Sequence, residues 1–295
     1  MIGIIGLGLA GSALCRRFLK MGFEVVGYDI NPVATNQAKR FGAQVSNSPK
    51  QIGHLSNIIL LSLPDSTIVD LVVEGPNGLL ETISENSLII DTTTSDPNAS
   101  AKLAKRLKKY NIRFVDATII GSSNEIENGS VVLLCGGPKK DITENKELFA
   151  VFAKQYFHMG KNGKGAQTKL VVNLVLGLNR LALAEGINLG EKIGLNSNML
   201  LEVLKSGAAY SRTMDHKGEK MINNDFDPPQ AKLAQHHKDV DLILKLAQQI
   251  GASVPLTVAH EKILKMGCLT GFGELDNSAV IQTLRDRSNK EKYIS

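Results

Sequence analysis

Lys169 and Asn173 lie four residues apart in the stretch Gly163-Lys-Gly-Ala-Gln-Thr-Lys-Leu-Val-Val-Asn173, where a glycine-rich break gives way to an apolar helical pattern. On a helix that spacing puts both side chains on one face. An ammonium beside a neutral hydrogen-bonding amide is suited to moving a proton to or from a substrate oxygen, and an apolar setting would lower the lysine pKa from ~10.4 towards the working range. Taken alone, Lys169 reads at least as well as a side chain snorkelling from the first turns of a helix. What surrounds it in the chain decides between the two.

The N-terminus supplies the first context. A short apolar run, Ile2 to Ile5, is followed by Gly6-Leu7-Gly8-Leu9-Ala10-Gly11 and a helical pattern through Leu14, Phe18 and Leu19. A second apolar run, Val25-Val26-Gly27-Tyr28, ends at Asp29, 23 residues beyond Gly6. Strand, glycine turn, helix and an acid at the next strand end together describe a dinucleotide-binding unit. Gly6 would permit the tight turn, Gly8 would let backbone approach the pyrophosphate and Gly11 would bring helix against strand, with the phosphates at a helix N-terminus. Asp29 would accept the adenine-ribose hydroxyls and repel a 2′-phosphate, and Ile30 beside it brings no guanidinium, so NAD is favoured over NADP.

Further strands are predicted over 57–63, 87–91, 113–117 and 131–135, separated by helical or turn segments. That alternation implies an α/β domain with a doubly wound parallel sheet. Ligands bind outside the carboxyl ends of such strands, which here read Leu63-Pro64-Asp65, Asp91-Thr92-Thr93-Thr94 and Asp116 to Ser123. Thr94, Ser95 or Asp96 serves equally as a cap for a helix starting near Pro97. From Gly165 to about Ile193 one long helix is expected, and beyond it only helical patterns follow, over 197–204, 231–250 and 257–265. The expected division is a dinucleotide-binding domain over 1–162 and an all-helical domain for substrate and oligomerisation over 163–295, joined by the long interdomain helix. In the helical part His236 and His237 are adjacent and point about 100° apart, which is no metal pair, so no metal is expected. Lys238 reads as a surface or helix-pairing lysine.

Composition narrows the partners. A net charge of +5, spread along the chain without an aromatic-interleaved basic stripe, argues against nucleic acid. The three cysteines, Cys15, Cys135 and Cys268, are far apart and in no metal spacing, which fits a reducing, cytoplasmic setting. The apolar run from Leu170 to Leu189 is interrupted by Asn173, Asn179, Arg180 and Glu185, so a soluble protein is expected, with no membrane partner.

The order of these motifs resembles the β-hydroxyacid dehydrogenase family, which includes 3-hydroxyisobutyrate dehydrogenase and is related to 6-phosphogluconate dehydrogenase. The matching stretches are Gly6 to Gly11, Ile90-Asp-Thr-Thr-Thr-Ser-Asp-Pro97, Asp116 to Ser122, Gly163 through Lys169 to Asn173, Lys238-Asp239, and Gly271-Phe-Gly through Asp276 to Ala279. The resemblance implies that Lys169 is the catalytic acid/base and that Asn173 hydrogen-bonds to it or to the substrate. It also implies that Leu63-Pro64 and Thr94 border the nicotinamide, that Lys238 reaches the cofactor ring or substrate, and that the chain forms a homodimer or homotetramer. The implied activity is hydride transfer between nicotinamide C4 and a small hydroxy acid or semialdehyde. One loop departs from the family. Where it reads Asp-Ala-Pro-Val-Ser-Gly-Gly and holds the substrate carboxylate, this chain has Thr118, Ile120, Gly121, Ser122 and Ser123. Either Ser122 or Ser123 takes the anion from a shifted position, or the substrate is a carbonyl or imine without a carboxylate there. The third alternative is a non-catalytic dinucleotide-binding module; relatives of that kind, and imine reductases, tend to lose the lysine that this chain keeps.

Overall fold

A computed structural model describes residues 1–291, with side-chain surroundings through 286. The chain divides into two compact units, Met1–Lys169 and Leu170–Ser295.

In the first unit strands and helices alternate: β1 (Ile2–Ile5), α1 (Leu9–Lys20), β2 (Val25–Tyr28), α2 (Pro32–Arg40), β3 (Gln44–Val45), α3 (Pro49–Leu55), β4 (Ile58–Leu61), α4 (Ser66–Glu74), β5 (Leu88–Asp91), α5 (Pro97–Lys108) and β6 (Arg113–Ile120). They are followed by α6 (Ser123–Glu127), β7 (Val131–Gly136), α7 (Lys139–Glu144), α8 (Lys146–Phe152) and β8 (Ala153–Gly160). The sheet order is β3-β2-β1-β4-β5-β6-β7-β8. β1 to β6 form the expected parallel, doubly wound sheet, whereas β7 pairs antiparallel with β6 and parallel with β8.

Burial on both faces explains why these strands read as unbroken apolar runs rather than as alternation. Ile4, Leu60, Ile90 and Val115 join a core with Leu14, Phe18, Phe149 and Phe152. Their neighbours Ile5, Leu61, Ile89 and Phe114 join the opposite core with Ile52, Val72, Val73 and Leu103. Helix starts are set by local chemistry: Asn31, Ser48, Asp65 and Asp96 each accept a backbone N–H at the head of α2, α3, α4 and α5.

Helix α9 (Lys164–Lys192) begins in the first unit and runs on through the second. The second unit continues with α10 (Ser197–Ser206), α11 (Arg212–Asn223), α12 (Leu233–Ile250), α13 (Pro255–Leu269) and α14 (Val280–Glu291). By length and apolar content alone, with a mean hydropathy of 1.5 over its most apolar window, α9 could cross a membrane. Its Leu181, Leu183, Ala184 and Ile187 instead pack into the helical core with Leu201, Met221, Leu233 and Ile281.

This core also holds charge. Lys217 donates to both carboxylate oxygens of Asp276 at 2.8 and 2.9 Å, and Asp276 also accepts from Gln230 N and from Ser278 N and Oγ. The staple ties α11 to the segments entering α12 and α14. Burial alone would raise the Asp276 carboxyl, but the Lys217 charge and the hydrogen bonds outweigh it and hold the group at about 2. Arg180 on α9 is 3% exposed, and its Nε and Nη1 have no hydrogen-bond partner among the described residues. Burial lowers it to about 10, opposed by the charges of Asp276 and Asp239. Removing one partner of a buried pair strands the other charge. Lys217→Ala is therefore expected to destabilise the protein by about 3 kcal/mol in urea unfolding followed by circular dichroism; a loss below about 1 kcal/mol would show that the backbone donors alone suffice for Asp276.

Candidate functional site

The turn after β1 is shaped by its glycines and one acid. Gly6 has φ +89°, and a Cβ there would collide with the Ser62 carbonyl; a Cβ on Gly11 would overlap the Gly6 carbonyl. Gly8 differs, because an added Cβ would meet nothing within 4 Å. The protein itself does not require glycine there, and the open space leaves room for a ligand to approach the backbone. Gly8 is the N-cap of α1, with no side-chain cap and no acid in the first turn, so the helix end keeps its positive character for a phosphate. Leu7 is buried, whereas Gly8 and Leu9 are exposed and Ala10 is half-buried. Asp29, at the end of β2, accepts from Leu7 N at 2.6 Å and from Asn31 N at 2.8 Å, which holds its carboxylate against the glycine turn. These residues fit a dinucleotide, with the pyrophosphate at Gly8 and a ribose at Asp29.

The neighbouring strand ends lie along the same sheet edge. Ile5, Leu61, Asp91 and Asp116 stand level in the parallel register. Beyond that level Leu63 N donates to Thr93 Oγ1 at 3.1 Å, and Thr93 N donates to Asp91 Oδ1 at 2.9 Å, tying together the loops after β4 and β5. Pro64 is exposed and Thr94 half-buried. Asp96, rather than Thr94 or Ser95, caps α5.

β6 continues past this level. Ile119 lies three residues, about 10 Å, beyond Asp116. Along this extension the strand holds the head of α9. Asp116 Oδ1 accepts from Gly163 N at 2.8 Å and its Oδ2 from Ala166 N at 3.0 Å, while Thr118 Oγ1 donates to Gly165 O at 3.3 Å. One turn later Lys169 Nζ donates to Ile119 O at 2.6 Å. Lys169 therefore does not snorkel; its ammonium is fixed against the end of β6. Asn173, the next turn along α9, is buried and donates from Nδ2 to Asp239 Oδ2 at 2.9 Å. Lys238 Nζ lies 3.2 Å from Asp239 Oδ1.

The loop after β6 is tied to the helix that follows it. Ile120 still pairs with Val132 on β7. Gly121 turns the chain at φ +147°, with Val131 blocking any Cβ. Ser122 is one of the two serines offered for an anion, the other being Ser123; its amide and hydroxyl both donate to Glu125 Oε2, at 2.9 and 3.2 Å, and its hydroxyl accepts from Glu125 N. The two residues form a capping box at α6, and Ser123 is its first helical residue. Sequence reasoning missed this, although Ser122-Ser123-Asn124-Glu125 carries the S-x-x-E signature. It also missed the grouping of His237 with Glu261 at 3.3 Å and Asp241 at 3.9 Å, because Glu261 comes from a different helix.

Asp116 is the other residue whose part was not foreseen. Burial is the largest influence on it, opposed by the two amides and reinforced by Asp91, and its pKa rises to about 7. A carboxyl raised in the folded state binds protons that the unfolded chain releases, so its contribution to stability is full below about pH 4 and lost as pH rises through about 7. Asp116→Asn, which cannot titrate, is expected to show a flatter fall in melting temperature between pH 4 and pH 7 than the wild type. Parallel pH profiles of the two proteins would contradict the raised pKa.

Residues 1–160 match the NAD binding domain of 6-phosphogluconate dehydrogenase, and residues 163–284 match the NAD-binding domain of NADP-dependent 3-hydroxyisobutyrate dehydrogenase. The chain is 32% identical to glyoxylate/succinic semialdehyde reductase 1 of Arabidopsis thaliana over 96% of its own length and 98% of the relative's. It is also 32% identical to 2-(hydroxymethyl)glutarate dehydrogenase of Eubacterium barkeri, over 95% and 93% of the two chains. A crystal structure of 3-hydroxyisobutyrate dehydrogenase from Salmonella typhimurium has the same fold, with a TM-score of 0.87 at 22% identity, covering 95% of this chain and 98% of that one.

Proposed function

The chain belongs to the β-hydroxyacid dehydrogenase family of NAD(P)-dependent oxidoreductases, and we propose that it moves a hydride between C4 of NAD(H) and a carbon of a small hydroxy acid or semialdehyde, with Lys169 exchanging the proton. The observation that carries this reading is the Lys169–Ile119 hydrogen bond, which fixes an ammonium on the sheet edge that also bears the dinucleotide turn. NAD(H), when bound, supplies or accepts the hydride. In reduction Lys169 donates a proton to the oxygen on which charge develops; in oxidation its neutral amine removes that proton. Holding Nζ on a backbone carbonyl fixes the donor before substrate arrives, so little ordering remains at the moment of transfer.

The non-catalytic alternative is disfavoured because a module that only bound the dinucleotide would have no use for a lysine anchored there. The names of the curated relatives, which include succinic semialdehyde and 2-(hydroxymethyl)glutarate, support the hydroxy-acid and semialdehyde class. Lys169→Ala is expected to lower kcat by roughly 10²- to 10⁴-fold, the usual range for general acid-base catalysis, while NADH affinity measured by fluorescence stays within about twofold. Wild-type turnover in that variant would remove Lys169 from the mechanism.

The choice between nucleotides rests on Asp29. Its carboxylate is held at the glycine turn by two backbone amides, and Ile30 beside it is 89% exposed and brings no positive charge. A 2′-phosphate placed on Asp29 would meet a like charge. With the same aldehyde substrate, kcat/KM for NADH should exceed that for NADPH by about tenfold or more, a difference of about 1.4 kcal/mol. Equal or reversed preference would refute this assignment.

A further inference from the structure

We propose that Glu125 is a specificity-determining residue of the Lys169 site: it places a carboxylate of the protein on the β6–α6 loop, so that the substrate group facing Ile120 to Ser122 is uncharged. The inference rests on the hydride-transfer reading above and deepens it.

Ile119 carries the carbonyl that anchors Lys169 Nζ, and the loop begins with the next residue. A small substrate whose oxygen meets Lys169 therefore presents its adjoining carbon to Ile120, Gly121 and Ser122. On that stretch the Ser122 amide and the Ser122 hydroxyl, two of the donors that could bind an anion, both point to Glu125 Oε2. The same oxygen would lie 3.3 Å from a Cβ placed on Gly121, so the acid lies against the turn itself rather than away from it. Ile120 adds an apolar side chain without a donor.

The arrangement is held from several sides. Glu125 N donates to Ser122 Oγ, and Ser130 N and Oγ both donate to Glu125 O at 2.8 and 3.2 Å. A substrate carboxylate at this position would have to displace Glu125 from its donors while standing against a like charge, and in a partly buried site that repulsion is only weakly screened. A carboxylate attached directly to the reacting carbon stays close to the loop. One separated from that carbon by methylene groups can be carried away from the loop. The geometry thus selects semialdehydes with a remote acid group, and uncharged hydroxyaldehydes, over 2-oxo acids. This is selection by an unfavourable element as much as by an attractive one.

Glu125→Gln retains the length and a capping-box acceptor but removes the charge; Glu125→Asp retains the charge. Initial rates of NADH oxidation are to be measured with glyoxylate, its uncharged counterpart glycolaldehyde, and succinic semialdehyde. The wild type and Glu125→Asp should use glycolaldehyde and succinic semialdehyde with kcat/KM at least about tenfold above glyoxylate, and Glu125→Gln should raise glyoxylate by about tenfold while glycolaldehyde moves less than about threefold. An unchanged glyoxylate-to-glycolaldehyde ratio in Glu125→Gln would overturn the proposal. A calorimetric titration of the enzyme–NAD complex with glycolate decides the same point without turnover: tighter binding to Glu125→Gln than to wild type supports the proposal, and equal affinity overturns it. If no aldehyde is reduced by the wild type, the hydride-transfer reading fails on its own, and the titration still decides whether Glu125 repels a substrate carboxylate.

Discussion

A buried carboxylate holds the head of the longest helix and, with it, Lys169. Asp116 takes the amides of Gly163 and Ala166, two donors that a helix N-terminus leaves without internal partners, and so fixes α9 to β6. Thr118 adds a bond from the same strand to Gly165, and Lys169 closes the series on Ile119. The four bonds step up the strand while the helix advances from Gly163 to Lys169, nearly two turns. A lysine at the end of a flexible tether could not be held to a fraction of an ångström; this one hangs from a rigid strand and a capped helix. The arrangement is costly to build, since the carboxyl is buried near Asp91 and its pKa is pushed up to about 7. Burial of a poorly compensated acid at a site where position matters is the pattern expected where function constrains a fold.

The dinucleotide turn obeys a different logic. Gly6 and Gly11 are glycines because protein atoms occupy the space beside them, and Gly8 is one without any such neighbour. Asp29 joins the two sides of the turn, since one oxygen receives Leu7 N and the other Asn31 N. The acid therefore shapes the turn itself, which couples the geometry of the proposed phosphate site to the residue proposed to meet the ribose.

How much of this could be read from the residues follows from the range of the forces involved. The glycine turn, the strand ends and α9 were legible because their signals are local: glycine spacing, apolar runs and a long pattern free of proline. β8 was missed because it sits at the sheet edge, mostly exposed, and follows α8 with no glycine or proline between Phe152 and Ala153. α11 was missed because its buried face is made of Thr213, Met214, Gly218 and Met221, too weakly apolar to show a period, with Gly218 there to admit Leu201. β7 was read as one more parallel strand, since an apolar run does not reveal its direction. The role of Asp116 was hidden for another reason: its partners are 47 and 50 residues away. The Glu125 cap, by contrast, is local, and its spacing from Ser122 carries the signal. A serine just past a strand end reads first as a donor for a ligand, and that reading hid the acid three residues on.

The loop after β6 shows why chemistry and selectivity can vary separately in this fold. Ile120 has its backbone committed to Val132, Gly121 is confined by Val131, and the Ser122 amide is committed to Glu125. None of these restraints passes through Asp116 or α9, so the loop can exchange side chains without moving Lys169. The frame that holds Lys169 depends on register and capping, which tolerate little change; the surface proposed to meet the rest of the substrate depends on side-chain charge, which a single substitution alters. Selectivity for the acid group is therefore set by electrostatics on a fixed backbone. That is why an isosteric loss of charge at residue 125 probes it more cleanly than a replacement at Ile120, which would change size and shape as well as polarity.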